Sequence, residues 1–245
     1  MTIHDLVQGA RDRLIEAGIG ANNAALDAEL LARQVLGWDK ARFLTDRNEA
    51  ATTMFLLGYE HFVARRTRRE PISYILGTRE FWSLNFEVTP DVLIPRPETE
   101  LIVEEALRIG ASGAIGASGA GNLIYDVGTG SGVLAVVLAR EFPDAKVVAT
   151  DISPEALGVA KRNAARHGVA DRITFVETSF LDGLDTGARL IVSTLRTCRR
   201  CPNRRCRRKC AITSRVSPYT AETMGWRGCG GWWRMPRRFW RRAAG

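Results

Sequence analysis

The sequence predicts an α/β protein built in two parts: a helical bundle, then a domain whose parallel sheet carries helices on both faces. Three observations lead there. Apolar residues recur at helical spacing through the first 70 residues. From Leu123 onward, short apolar runs alternate with amphipathic stretches. A glycine-rich turn, Gly128-Thr129-Gly130-Ser131-Gly132, follows the first of those runs directly and opens the next helix.

The helical part is read from three stripes. Ile3, Val7, Ala10 and Leu14 mark the first helix. Asn23 is a candidate cap for a second, with Leu26, Leu30, Leu31 and Val35 and an end near Gly37; Leu56, Tyr59 and Val63 mark a third. At Pro71 the texture becomes alternating and aromatic, and Phe81, Leu84, Phe86 and Val88 suggest a short hairpin. Ile94-Pro95-Arg96-Pro97 follows. Pro97 suits the first turn of a helix running to about Ile109, with Glu98 and Glu100 favourable at its positive end. Gly110 to Gly121 is a Gly, Ala and Ser run and reads as a loop. Strands are then expected at Leu123–Val127, Lys146–Thr150, Ile173–Glu177 and Arg189–Ser193, with helices from Gly132 and from Pro154 to His167. The expected organisation is a helical unit over 1–70, a hairpin and linker over 71–97, an α/β domain over 98–193 and a tail over 194–245.

Charge separates the tail from the rest. Residues 1–193 carry 20 Lys and Arg against 26 Asp and Glu, a net charge of −6, and no cysteine. Residues 194–245 carry 15 Lys and Arg, a single acid (Glu222), all five cysteines and four of the six tryptophans, a net charge of +14. No stretch reaches the roughly 18 apolar residues of a membrane helix, and the first twenty residues lack a secretory pattern. The expectation is a cytoplasmic protein without a membrane partner.

The chemistry is concentrated around the glycine turn. Glycines let the backbone turn tightly and approach a ligand, and the free N–H groups of the helix start favour a carboxylate or phosphate. A dinucleotide fingerprint needs a third glycine at its sixth position, where Val133 stands, so the spacing fits S-adenosylmethionine better. Asp151 ends the following strand, where a carboxylate accepts hydrogen bonds from both hydroxyls of a ribose. Capping of the helix that begins at Pro154 is the competing role, and Ser153 is its other candidate. His4, His61 and His167 fall on expected helices and receive no chemistry.

Ile72-Ser73-Tyr74-Ile75-Leu76-Gly77, Phe81-Trp82, Leu93-Ile94-Pro95-Arg96-Pro97-Glu98-Thr99-Glu100, the glycine turn and Asp151 together resemble the release factor glutamine methyltransferases over residues 1–193. The resemblance implies a Rossmann-like class I methyltransferase domain behind a substrate-docking bundle, here truncated after about the fourth strand. It implies S-adenosylmethionine as cofactor, no metal, and a peptide chain release factor as protein partner of a monomer. The reaction implied is methylation of the glutamine side-chain amide in that factor's Gly-Gly-Gln loop. By position, Gly128, Thr129, Gly130, Ser131, Gly132 and Asp151 would bind the cofactor, and Phe180 would stack near its adenine, with plain core packing as the alternative. Arg96 and Glu98 lie in a segment expected beside the cofactor pocket or, alternatively, form only a proline-defined helix start.

One motif is missing. The resembled family continues its fourth strand into Asn-Pro-Pro-Tyr, whose asparagine side chain and first proline carbonyl orient the target amide. Here Ser193 is followed by Thr194-Leu195-Arg196-Thr197-Cys198, so no catalytic residue is assigned. Codons ACC CTC CGT ACG TGC for those five residues, preceded by one A, read Asn-Pro-Pro-Tyr-Val. The same shift over Arg215 to Trp226 permits Pro-Arg-Leu-Ala-Val-His-Gly-Gly-Asp-Asp-Gly-Leu, which resembles a later family segment. The tail is therefore expected to be an out-of-frame reading, and this chain an impaired catalyst.

Taken at face value, the tail suggests other functions. Cys198, Cys201, Cys206 and Cys210 supply four thiolates, but with no second two-residue knuckle the spacing argues against zinc. The basic run with Trp226, Trp232, Trp233 and Trp240 would suit a nonenzymatic nucleic-acid binder. A third alternative keeps the fold and methylates a nucleic-acid base amine; the acidic balance of residues 1–193 counts against a polyanionic partner.

Overall fold

The computed structural model describes residues 1–111, 122–184, 187–194, 226–228 and 231–233, and the chain divides into two compact units, Met1–Thr78 and Arg79–Gly245. The first is helical. Thr2 and Asp5 form a reciprocal capping box at the start of α1 (Ile3–Glu16), and α2 (Ala21–Leu36) ends at Gly37 in the left-handed conformation. Asp39 caps α3 (Lys40–Asp46), Thr52 caps α4 (Thr53–Thr67), and α5 (Ile72–Leu76) completes the unit. Ile3, Val7, Ala10 and Leu14 face a core with Leu31, Phe43, Phe55, Tyr59 and Val63.

Three features of this unit differ from the sequence reading. Asn23 lies inside α2, whose N-cap is Gly20. The buried face of α2 is Ala24, Asp27, Ala28, Leu31 and Ala32, which leaves Leu26 54% exposed, because small residues allow α2 to approach its neighbours closely. Asp27 is tolerated on that face because Arg66 Nε donates to its carboxylate at 2.7 Å. The unit also extends beyond residue 70: α5 packs Ile75 into the helical core with Ile72 and Leu76 at its edge.

A hairpin, β1 (Thr78–Phe81) and β2 (Leu84–Glu87), lies in the second unit from Arg79 onward. Its two turn residues, Trp82 and Ser83, have φ of 53° and 57°, values that glycine and asparagine adopt far more readily. Two carboxylates hold the turn: Glu100 accepts from the Trp82 backbone N–H at 2.9 Å, and Glu141 accepts from its indole N–H at 3.0 Å. Pro97–Thr99 forms a single 3₁₀ turn that leads into α6 (Glu100–Ala111). The loop expected over 110–121 lies outside the described residues beyond Ala111.

The remaining elements alternate. β3 (Leu123–Val127), α7 (Val133–Glu141), β4 (Lys146–Asp151), α8 (Pro154–Arg166), β5 (Ile173–Glu177) and β6 (Leu190–Ser193) build a parallel sheet in the order β5-β4-β3-β6. The chain therefore steps outward from β3 to β5 and returns to the opposite side of β3. In open parallel sheets such a reversal creates a crevice at the carboxyl ends of the strands. α7 has every residue from Val133 to Ala139 buried, as expected of a helix apolar all round.

In the tail, β7 (Trp226–Gly228) and β8 (Gly231–Trp233) pair with each other, antiparallel, in a sheet separate from the parallel one. The four cysteines weighed for zinc, and Trp240, lie outside the described residues. Among the described residues no helix is long and apolar enough to cross a membrane.

Leu138 of α7 is fully buried in the hydrophobic core of the second unit, with Phe81, Phe86, Ile124 and Val147. Leu138→Ala is expected to lower unfolding stability by about 2–5 kcal/mol, the range for leucine truncation in packed interiors. Denaturant titration checks this, and a loss below about 1 kcal/mol would contradict the packing described.

Candidate cofactor cleft

The cleft is built from the turn between β3 and α7. Gly128, Gly130 and Gly132 have φ of 72°, 55° and 81°, so all three occupy the left-handed region that side chains disfavour. At Gly132 space is limiting as well: a Cβ would stand 2.9 Å from the Ala160 Cβ, because α8 packs directly on the turn. At Gly130 a Cβ would meet nothing within 4 Å, so there the backbone faces open space.

Asp126 supports the turn from below. One carboxylate oxygen accepts from Thr129 Oγ1 at 2.6 Å and from the Ala135 N–H at 3.1 Å, tying the turn to the first coil of α7. The N–H groups of Gly128 and Thr129 both donate to the Thr150 carbonyl, at 2.8 and 2.9 Å, which fastens the turn to the end of β4. Burial pushes the Asp126 carboxyl up to about 6, against the lowering effect of its two hydrogen bonds, with the charge of Asp151 adding a smaller upward push.

Asp151 ends β4 at the cleft. Its Oδ2 accepts from the Gly130 N–H at 2.9 Å and its Oδ1 from the Ser153 N–H at 3.1 Å. Capping of α8 falls to Ser153, whose Oγ accepts from the Ala156 N–H at 3.1 Å. The Asp151 carboxylate is therefore not consumed by the helix, and each oxygen keeps acceptor capacity.

A cavity of about 410 Å³ opens here, lined by Gly128–Ser131 and Val133, by Asp151, Ser153 and Ala156, by Asp91–Arg96 and Thr99, and by Thr194. That volume is within the range of small-molecule sites. Of the residues singled out from sequence, Gly128, Thr129, Gly130, Ser131 and Asp151 line it together, and Arg96 joins them from the proline-rich segment. Gly132 lies behind the wall, against Ala160. Glu98 and Phe180 are not among the lining residues; Phe180 has φ 60° and its carbonyl accepts from Thr150 Oγ1 at 3.0 Å. His167 stands at the end of α8, where its Nε2 is 3.0 Å from the Asn85 carbonyl, and burial holds its imidazole below the usual value.

Sequence reasoning missed Asn163. Fully buried on α8, it donates from Nδ2 to the Ser131 carbonyl at 2.8 Å and to the Glu87 carbonyl at 3.0 Å, and its Oδ1 accepts from the Glu87 N–H at 2.7 Å. The signal was a polar residue at the spacing of the apolar stripe Ala156, Val159, Ala160 and Ala164. Among the described residues no group of three or more His, Cys, Asp or Glu is placed to hold a metal.

The parallel sheet, its glycine turn and the carboxylate at the end of the next strand give the second unit the fold of a class I methyltransferase domain. Comparison with known proteins agrees. Residues 124–210 match the family model of a methyltransferase domain and residues 5–77 that of the PrmC N-terminal domain. The release factor glutamine methyltransferase of Geobacter sulfurreducens is 42% identical over 193 residues, covering 78% of this chain and 64% of that protein. Those of Burkholderia pseudomallei and Vibrio cholerae are 44% and 37% identical, covering 69% and 79% of this chain and 58% and 65% of theirs. The chain is similar to release factor glutamine methyltransferases over most of its own length, and it spans roughly three fifths of the length of these relatives. Among solved structures, an RNA methyltransferase from Salinibacter ruber overlaps 42% of this chain and 60% of its own at 24% identity, with a TM-score of 0.33.

Asp126 gives the cleft a pH dependence of defined sign. Its folded-state value lies above the ordinary 3.8, so the folded protein holds more protons than the unfolded chain between about pH 4 and 6. Its contribution to stability is present below about pH 4 and is lost as pH rises through about 6. Asp126→Asn is expected to flatten that fall in denaturation free energy, and an unchanged slope would contradict the assignment.

Proposed function

We propose that the second unit binds S-adenosylmethionine in this cleft and that the family activity, methylation of the glutamine side-chain amide in the Gly-Gly-Gln loop of peptide chain release factors, is impaired in this chain. The observation that carries the binding is the division of labour at the end of β4. Ser153 caps α8, while Asp151 is held at the cavity by the Gly130 and Ser153 N–H groups with lone pairs left for two ribose hydroxyls.

The residues present fit that cofactor. Gly130 leaves the backbone open where a ligand carboxylate or ribose would approach, and Gly128, Thr129 and Ser131 complete that wall. Val92, Leu93, Ile94 and Pro95 supply an apolar part of the lining. When bound, the cofactor supplies a methyl group on a positively charged sulfur. Phe180 is assigned to the adenine end, which requires its ring to turn toward the cavity. The helical unit is assigned to docking of the release factor, and the working molecule is a cytoplasmic monomer.

Impairment follows from what stands after β6. Ser193 is anchored by its Oγ donating to the Val127 carbonyl at 2.8 Å, and Thr194 lines the cavity. Thr194-Leu195-Arg196-Thr197 provides neither an asparagine side chain nor a proline carbonyl at the positions the family uses. An amide nitrogen is weakly nucleophilic, so loss of the groups that orient it removes the main contribution to rate.

The test joins binding to turnover. The full chain is expected to bind S-adenosylhomocysteine, and Asp151→Ala to weaken it by about tenfold or more, as loss of charged hydrogen bonds would. No binding by the parent chain would overturn the cofactor assignment. In a glutamine-methylation assay this chain is expected to show no turnover and the chain re-read in the shifted frame from residue 194 to show turnover. Normal turnover by this chain would overturn the impairment, and none by the re-read chain would overturn the substrate.

A further inference from the structure

The hairpin β1–β2 is hydrogen-bonded to residues that adjoin or hold two parts of the cleft lining, through contacts that the cofactor assignment does not use. At its turn, the Trp82 N–H donates to Glu100, the residue after Thr99, which lines the cavity together with Asp91–Arg96. At its second strand, Glu87 exchanges both backbone groups with Asn163, which also holds the Ser131 carbonyl in the glycine turn. One asparagine thus stands in for a neighbouring strand and a loop anchor at once.

Only one orientation of that amide serves all three partners. The Glu87 N–H requires an acceptor and the two carbonyls require donors, so Oδ1 must face Glu87 and Nδ2 must lie between Ser131 and Glu87. The side chain is fully buried, so water cannot replace a lost partner without reopening the packing. Ser131 is flanked by Gly130 and Gly132, whose φ values of 55° and 81° leave the turn little intrinsic preference for its shape. A bond to the carbonyl between them therefore fixes geometry that the glycines do not.

We propose that Asn163 is a positioning residue that braces the glycine turn against the hairpin and so sets the shape of the cleft before any ligand arrives. It touches no ligand itself. Its effect is transmitted through the Ser131 carbonyl to the N–H groups of Gly130 and Gly132, the first of which donates to Asp151 and the second to the Thr129 carbonyl. The consequence for ligand affinity rests on the assignment of the cleft to S-adenosylmethionine, whereas the bracing itself does not.

The test uses the full chain and two kinds of variant. Asn163→Leu keeps the volume and removes all three hydrogen bonds; Asn163→Ser, smaller and still polar, serves if the first does not fold. Val159→Ala, a buried apolar truncation on the same helix away from the cleft lining, is the control for general loss of stability. Amide hydrogen exchange at Gly130 and Gly132 is measured without ligand, and S-adenosylhomocysteine affinity by calorimetry. In the Asn163 variant, exchange at both amides is expected to accelerate at least tenfold and the dissociation constant to rise at least tenfold, with both within threefold of the parent in Val159→Ala. Equal changes in the two variants, or protected Gly130 and Gly132 amides without Asn163, would overturn the proposal. If the parent chain binds no S-adenosylhomocysteine, the cofactor assignment fails while the exchange measurement still decides the brace.

Discussion

A single buried carboxylate, that of Asp126, holds the turn on which the second unit depends. The turn must carry the chain from the end of β3 into α7 along the edge of the cavity, and three residues with positive φ make it intrinsically loose. Asp126 compensates by accepting from Thr129 within the turn and from Ala135 in the helix beyond it. Its burial has a cost, visible in the raised carboxyl value, and that cost is tolerated because the alternative is an unsupported loop over the centre of the sheet. The Thr150 carbonyl and Asn163 then fix the same turn from two other sides.

Around that turn the sheet topology places the remaining pieces. Because β6 lies beside β3 and not beyond β5, the ends of β3, β4 and β6 surround one crevice, bringing Asp151 and Thr194 to the glycine turn from different parts of the chain. The proline-rich segment lines the same crevice. The hairpin adjoins the start of α6 just after that segment, and its strained Trp82-Ser83 turn is held by Glu100 and Glu141. Strain at a hairpin turn held by two carboxylates is consistent with a strut whose position matters more than its own stability.

Much of this was legible in the residues, and the exceptions have physical causes. The strands of the parallel sheet were recoverable because buried strands read as continuous apolar runs bounded by turn residues. The glycine turn was recoverable because only glycine serves at its φ values. The cap of α2 was misread because Asn23 is a good capping residue by type, yet packing of Ala24 and Ala28 places the helix start three residues earlier, after Gly20. α3 and α5 were not seen: each is seven residues or fewer, too short to show a period, and α5 took its place from tertiary packing of Ile75. Asn163 escaped because its three partners lie 32 and 76 residues away. The separation of Asp151 from Ser153 was left open by sequence, since both residue types cap helices, and was decided by geometry.

The central claim is that the glycine turn, Asp151 and the proline-rich wall form one cofactor cleft. Amide chemical-shift mapping of the full chain during titration with S-adenosylhomocysteine tests it most directly. The account requires the largest shifts at Gly128, Gly130 and Asp151, with a second group at Leu93, Ile94 and Arg96 in the proline-rich segment. Shifts confined to the helical unit, or a titration that moves the glycine turn but leaves the proline-rich wall untouched, would contradict it.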